Sequence, residues 1–369
     1  MRRALAVVLT FAIIFVPASA QRRAISSKPD TPFKLATFEA GGKVRLGLAL
    51  GSRILDIAGA NAALIQNEHL PEVRIPAGMR ELIDTYDRVS PRLYQIANYF
   101  KDTKAQAPAV ASDASKASFK PPIMYPWNLL NLAANYRAHA EGMGATQTPQ
   151  AGGRQGGFNA AAASQIDPDR DAPIVFAKSP RSCIIGTGEP YYIPPGRDRI
   201  DWEGELGIVM GKPAYMVSKD RAHDYVFGYT ILYDLSDRAG RARVVTMFPG
   251  TNWFDGKSID RGAPFGPVIV PKEFIANAGR LHITTKVNGV VKQDANTSQM
   301  IWDEAHQIAF ITSILTLYPG DLISTGTPPG TGMERNEFLK PGDVVTIEIE
   351  GIGTLTTPIK AGRNLMADG

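Results

Sequence analysis

The chain is poor in cysteine and histidine, with only Cys183 and five histidines in 369 residues. A single cysteine excludes an internal disulfide framework and any cysteine-based zinc site. Lysines and arginines are scattered, and no basic run is interleaved with aromatics, so nothing here supports nucleic-acid binding. The usual nucleotide loops are missing too. In "ISTGTPPGTG", Gly326, Gly330 and Gly332 follow a strand-like run, which suggests close backbone approach to a ligand. No lysine follows the last glycine, so the Walker pattern fails, and the dinucleotide glycine spacing is also unmet. The G-x-S-x-G elbow of the common serine hydrolases does not occur, and there is no internal repeat.

Long apolar runs are confined to the first twenty residues, "MRRALAVVLTFAIIFVPASA". A basic start, an apolar stretch from Ala4 to Val16 and an Ala18-Ser19-Ala20 ending predict a signal peptide over residues 1–20, cleaved before Gln21. The stretch is short for a retained membrane anchor. Cleavage removes two arginines and no acids, so the formal net charge of +4 falls to +2. Export without disulfides predicts a periplasmic or secreted protein with no membrane attachment. Its stability then rests on core size, for which 44% hydrophobic residues are ample.

Punctuation by glycine and proline divides the remainder. "KLATFEAGGKVRLGLALGSRILDI" predicts strands paired around Gly41-Gly42 with a further turn at Gly51-Ser52. "MRELIDTYDRVSPRLYQIANYF" predicts two helices, the second opened by Pro91. Together they predict a small amino-terminal α+β domain over 31–100. The Ala-, Ser- and Lys-rich segment 101–120 reads as a linker, and 121–365 as a larger, strand-rich domain. There, Asn288-Gly289 between β-branched flanks is a hairpin signal. "IWDEAHQIAFITSILTLYPGD" predicts one long helix stopped at Pro319-Gly320. Segment 144–171 has no apolar period and is expected to be a flexible lid or an insertion.

The residues with the most chemistry begin at "DWEGELGIVM". Asp201, Glu203 and Glu205 alternate, so in a strand they share one face. A solvated face would stay polar, whereas this one continues into Gly207 and Val209, so the acids are expected in an enclosed pocket that needs a cation. Asp234 stands near the end of the apolar run "YVFGYTILYDLSDR" and supplies a third ligand beside Glu203 and Glu205. Carboxylate-rich ligation without cysteine or paired histidine favours a hard divalent ion, magnesium first, then manganese or calcium. His139, at the root of the expected lid, suits proton transfer near neutral pH. Lys257, beside Asp260 in a Gly- and Pro-rich loop, is expected to pair with the ligand carboxylates or hold a substrate oxyanion.

In order, "NYRAHAEGMG", "IVFAKSPRSCIIGTGEPYYIP", "DWEGELGIV", "GYTILYDLSDR", "GKSIDRGAPFGPVIV", "NGVVKQDANTSQMIW" and "ISTGTPPGTG" with "FLKPGDVVTIEIEGIGTL" resemble the fumarylacetoacetate hydrolase family. The likeness spans about Pro121 to Ile359. It implies an α+β, strand-rich fold, a mixed β-sandwich roll, usually as a homodimer with one magnesium or manganese per chain. On that resemblance Glu203, Glu205 and Asp234 are metal ligands, His139 is the general base and Lys257 the active-site lysine. Arg238 and Thr327 match positions that hold substrate carboxylates, and Tyr136 is a contact beside His139. The implied activity is metal-dependent cleavage of a carbon–carbon bond in a 1,3-dicarbonyl acid. Oxaloacetate decarboxylation and keto–enol isomerisation on the same scaffold are alternatives, as is an exported binder of metal and keto acid without turnover.

Two departures bear on the chemistry. The family's hydrolases pair the base with a glutamate three residues on, where this chain has Gly142, and the nearest acid, Glu141, is then the candidate catalytic partner of His139. Either a glutamate elsewhere in the fold serves the base, or the site favours chemistry that needs no activated water. After Arg238 the family's acid and glutamine are replaced by Ala239 and Arg241, and Arg241 as an extra cation favours a more anionic substrate.

Overall fold

The computed structural model describes residues 24–102, 111–145, 163–238 and 253–362. The expected signal peptide, Arg241 and most of segment 144–171 fall outside them. Two sheets carry the fold, which is mixed α+β and strand-rich as expected. The larger runs in the order Ala111–Asp113, Arg53–Asp56, Lys43–Leu50, Lys34–Ala40, Val268–Pro271, Val226–Tyr233, Gly204–Met210, Leu322–Ser324, Leu129–Ala133, Ile174–Ala177. Ser118–Lys120 pairs with Lys34–Ala40 off this path. The second has Val290–Asn296, His282–Val287, Val344–Ile349, Gly353–Ala361 and Tyr191–Ile193 in that order.

Alternation sorts the side chains between two cores. Leu206, Ile208, Tyr229 and Ile231 join the cluster that includes Ile283 and Ile347 of the second sheet. From the opposite face, Val209, Phe227 and Leu232 pack with Leu82, Leu93 and Ile96 of the amino-terminal helices. Each strand buries both faces, which is why these runs are continuously apolar.

The turn predictions hold at the hairpins. Asn288 and Gly289 have φ 51° and 79°, the left-handed pair that a two-residue hairpin turn requires. Elsewhere tertiary contacts override local signals. The segment expected to be a linker contributes the strands Ala111–Asp113 and Ser118–Lys120, which pair with the amino-terminal strands, and these continue the main sheet through the pairing of Lys34–Ala40 with Val268–Pro271. Pro91 lies inside the helix Tyr86–Phe100 rather than opening it. The helix expected to reach Pro319 covers only Glu304–Thr312. It stops where the Thr312 carbonyl accepts from the Met216 N–H and Ala214 pairs with Leu317. Among the described residues no helix is long and apolar enough to cross a membrane.

Candidate metal and active site

Antiparallel pairing assembles the acidic cluster. Gly204 lies opposite Tyr233 and Glu205 opposite Leu232, and the Asp234 N–H donates to the Glu203 carbonyl at 3.0 Å. Asp234 therefore leaves the end of its strand beside Glu203, on the face shared by Glu203 and Glu205. One carboxylate oxygen from each of the three lies within 4.8 Å of the others, and all three residues are buried. Gly204 faces the other way, into the second sheet. A Cβ there would stand 2.2 Å from Thr285 Oγ1 and 3.1 Å from Ile347, so glycine lets the sheets close beneath the acids. Gln293 of that sheet accepts from the Gly204 N–H at 3.0 Å and donates to Thr327 Oγ1 at 2.8 Å.

The charges are offset by an array of cations. Lys257 Nζ donates to Glu203 at 2.5 Å and to Asp234 at 2.6 Å. Lys178, at the end of Ile174–Ala177, reaches the other Asp234 oxygen at 2.6 Å and the carbonyls of Leu235 and Gly262 at 3.0 and 2.6 Å. Arg238 bridges Glu203 and, at 2.8 Å, Asp201. Glu205 accepts instead from Ser324 Oγ at 2.5 Å and the Gly326 N–H at 2.9 Å. Burial disfavours the Glu203 charge, but Arg238, Lys257 and His139 outweigh it and hold that carboxyl below its usual range. For Glu205, burial and then the charges of Asp234 and Glu203 push the carboxyl well up.

Glu203 and Glu205 of the cluster open on a narrow pocket. Its wall includes His139, Arg238, Lys257 and Thr327 with the apolar Leu132, Met143, Phe176 and Trp253. His139 comes from the helix Arg137–Ala145 and is buried, its Nδ1 at 2.9 Å from Glu334 Oε1. Glu334 belongs to the short helix Gly332–Arg335, where its other oxygen accepts from the Gly330 and Thr331 N–H groups.

Of the residues singled out from sequence, the structure brings Glu203, Glu205, Asp234, His139, Lys257, Arg238 and Thr327 together. Tyr136 is not among the residues lining the pocket, and its hydroxyl is buried without a protein partner among the described residues. Glu141 is not on the wall, and the carboxylate on His139 is Glu334's, contributed from 195 positions away. Asp201 is not part of the ligand cluster. Its carboxylate accepts from the Gly332 and Met333 N–H groups and from Arg238, because the strand breaks at Trp202 and Glu203. Lys178 was not singled out, although a lysine ending the apolar run "IVFAK" was a usable signal.

Three buried carboxylates without histidine or cysteine fit a hard divalent cation.

Comparison with known proteins agrees with this geometry. Residues 129–360 match the family described as "Fumarylacetoacetate (FAA) hydrolase C-terminal". The Xenopus laevis protein named "Oxaloacetate tautomerase fahd2, mitochondrial" is 30% identical over 344 residues, covering 92% of this chain and 93% of that protein. Maleylpyruvate hydrolase from Sphingobium sp. SYK-6 superposes with TM-score 0.63 at 25% identity, covering 89% of this chain and 100% of that one. A second structure of that hydrolase contains manganese(II) and pyruvate. Fumarylacetoacetate hydrolase from Exiguobacterium antarcticum gives TM-score 0.64 at 26% identity over 89% of this chain and 100% of that one.

Proposed function

Given that this chain belongs to the fumarylacetoacetate hydrolase family, we propose that it is a divalent-metal-dependent hydrolase cleaving a carbon–carbon bond in a 2,4-dioxo acid. The observation that carries the reading is the sharing of one small pocket by a histidine with a carboxylate on its Nδ1 and a three-carboxylate cluster. Glu203, Glu205 and Asp234 would hold the ion, magnesium or manganese, which supplies Lewis-acid stabilisation of negative charge on the substrate's oxygens.

His139 Nε2 takes a proton from water, and the resulting hydroxide adds to the distal carbonyl carbon. The bond between that carbon and the central methylene breaks, its electron pair leaving as the enolate of pyruvate. His139 returns the proton to the methylene carbon, so one water is consumed and an acid and pyruvate are released. The Lys257 ammonium and Thr327 hydroxyl lie on the same wall, where they can hold substrate oxygens.

A second reading, keto–enol tautomerisation of oxaloacetate, is favoured by the nearly full-length likeness to the Xenopus laevis protein. It uses the same base on carbon-bound hydrogen and needs no water. The ultraviolet absorbance of acetylpyruvate, followed with magnesium or manganese and again with EDTA, separates the readings. Metal-dependent loss with stoichiometric pyruvate supports hydrolysis. Loss of oxaloacetate enol absorbance without cleavage supports tautomerisation, and metal uptake without turnover of either leaves a binding protein. Export is proposed from residues 1–20 alone and is tested by fractionation of the producing cell.

A further inference from the structure

A hydroxyl has one proton to give, and the groups around it decide where that proton can go. Thr327 lies on the pocket wall and is 2% exposed. Its Oγ1 accepts from Gln293 Nε2 at 2.8 Å and donates to the Gly204 carbonyl at 3.1 Å. Gln293 reaches in from the second sheet, on the strand Val290–Asn296, and is itself buried. We propose that Gln293 is the positioning residue for Thr327: it fills the acceptor side of the hydroxyl, so that the proton resting on the Gly204 carbonyl can turn only to an oxygen of a keto acid in the pocket. The proposal rests on the reading that this pocket takes a keto acid.

The Gln293 amide has a single workable orientation. Its Oε1 accepts from the Gly204 N–H at 3.0 Å, while Nε2 spends one hydrogen on Thr327 and the other on the Pro328 carbonyl at 2.7 Å. Reversed, the amide would set its NH2 group against the Gly204 N–H and its oxygen against the Pro328 carbonyl, leaving both backbone groups unsatisfied in a buried place. The hydroxyl therefore meets a donor on the Gln293 side and cannot return its proton there.

Local irregularity places the amide. Thr285 pairs with Gln293 but Lys286 with Val291, so Lys292 is an extra residue in the ladder, and such a bulge re-aims the side chain beside it. On the other side, pairing between Gly204–Met210 and the chain that carries Thr327 reaches Thr325, whose N–H donates to the Leu206 carbonyl at 3.0 Å. Two residues on, the side chains of Gln293 and Thr327 take both backbone groups of Gly204. A closed ring results, from the Gly204 N–H through Gln293 and Thr327 to the Gly204 carbonyl. It ties the pocket wall to the residue between Glu203 and Glu205.

Thr327→Val removes the hydroxyl with little change of shape, Gln293→Met removes the amide with little change of volume, and together they make a double-mutant cycle. The first readout is calorimetric binding of pyruvate at saturating manganese. Each single variant is expected to weaken it about tenfold, as for one hydrogen bond to a charged group, and the double variant by no more than about twofold beyond Thr327→Val. With acetylpyruvate, Gln293→Met is expected to raise KM by a similar factor and to leave kcat within about threefold, because the bond is made to bound substrate and transition state alike. A residue that only held the sheets together would cost the same factor with and without the Thr327 hydroxyl. Should Gln293→Met fail to fold, Gln293→Glu enters the same cycle. It keeps an acceptor on the Gly204 N–H and draws the Thr327 proton to itself, and its added charge acts in both backgrounds and cancels. Equal losses in the two backgrounds, or full pyruvate affinity in Gln293→Met, overturn the proposal, as does a wild type that binds no pyruvate. Pyruvate binding without turnover of a 2,4-dioxo acid fails the hydrolase reading instead, and the binding cycle still decides the role of Gln293.

Discussion

Replacing Lys178 by methionine tests whether the acidic cluster is held by buried charge rather than by the metal alone. Lys178 is 1% exposed, with its ammonium on Asp234 Oδ1 and the carbonyls of Leu235 and Gly262. Methionine keeps much of the stem's packing and removes only the charge and the donors. Removing one partner of a buried pair costs about 3–5 kcal/mol, because the other charge is left uncompensated. Lys257 still holds the second Asp234 oxygen at 2.6 Å, which favours the lower end of that range. The two carbonyls that lose their donor add about 1 kcal/mol each. The expected loss is thus roughly 5 kcal/mol, read as a fall in urea midpoint at unchanged m-value in EDTA. Lys257→Met serves as the control. Lys257 also pairs with two buried acids but lies on the pocket wall, where water can partly replace it, so its loss should be smaller, about 3 kcal/mol, the low end of the buried-pair range. A Lys178→Met loss below about 1 kcal/mol, or one smaller than that of Lys257→Met, would refute the reasoning.

Gly204→Ala should destabilise by about 1–3 kcal/mol in thermal unfolding, because its methyl would press on Thr285 and Ile347 across the sheets; an unchanged midpoint would mean the sheets part easily. Glu205 links metal binding to pH. Its folded carboxyl is raised by burial, Asp234 and Glu203, so its contribution to stability is present below the ordinary value of 4.5 and is lost as pH rises through the raised one. A metal must displace that proton, so apparent affinity should rise with pH across this window, by up to about tenfold per unit for one proton. Calorimetry in two buffers of different ionisation enthalpy should show the proton released, and no release would contradict the assignment. Cys183 is buried, and burial pushes its thiol up, so a thiol reagent should label it only as fast as the protein opens. Rapid native labelling would place it at the surface.

What could be read from the sequence was what neighbouring residues decide. Gly41-Gly42 and Asn288-Gly289 mark hairpins because tight turns need left-handed backbone, and that requirement is local. Glu203 and Glu205 share a face because strand alternation is local too. What stayed hidden depends on distant partners. Pro91 reads as a helix opener, yet the packing of Val89, Leu93 and Ile96 draws it into a helix that begins at Tyr86. The low-complexity segment before residue 120 reads as a linker, yet the free edges of two amino-terminal strands recruit it. Glu334 sits in a stretch whose only local signal is a capping box, and nothing there points to His139.

Asp201 shows where strand alternation, a correct local argument, stops. Its alternation with Glu203 and Glu205 reads as three acids in a row, and repulsion in that row calls for cations. The cations are present, but the row is divided. Trp202 and Glu203 leave the ladder, and Asp201 turns to the N–H groups of Gly332 and Met333 while Arg238 bridges it to Glu203. A guanidinium that holds two acids at once orients each by the position of the other. Glu203 thereby faces the pocket with one oxygen on Arg238 and the other on Lys257, and the turn bearing Glu334 is fixed by the same carboxylate that fixes Arg238. The first acid of the row, which is no ligand, is what couples the acidic cluster to the carboxylate on His139.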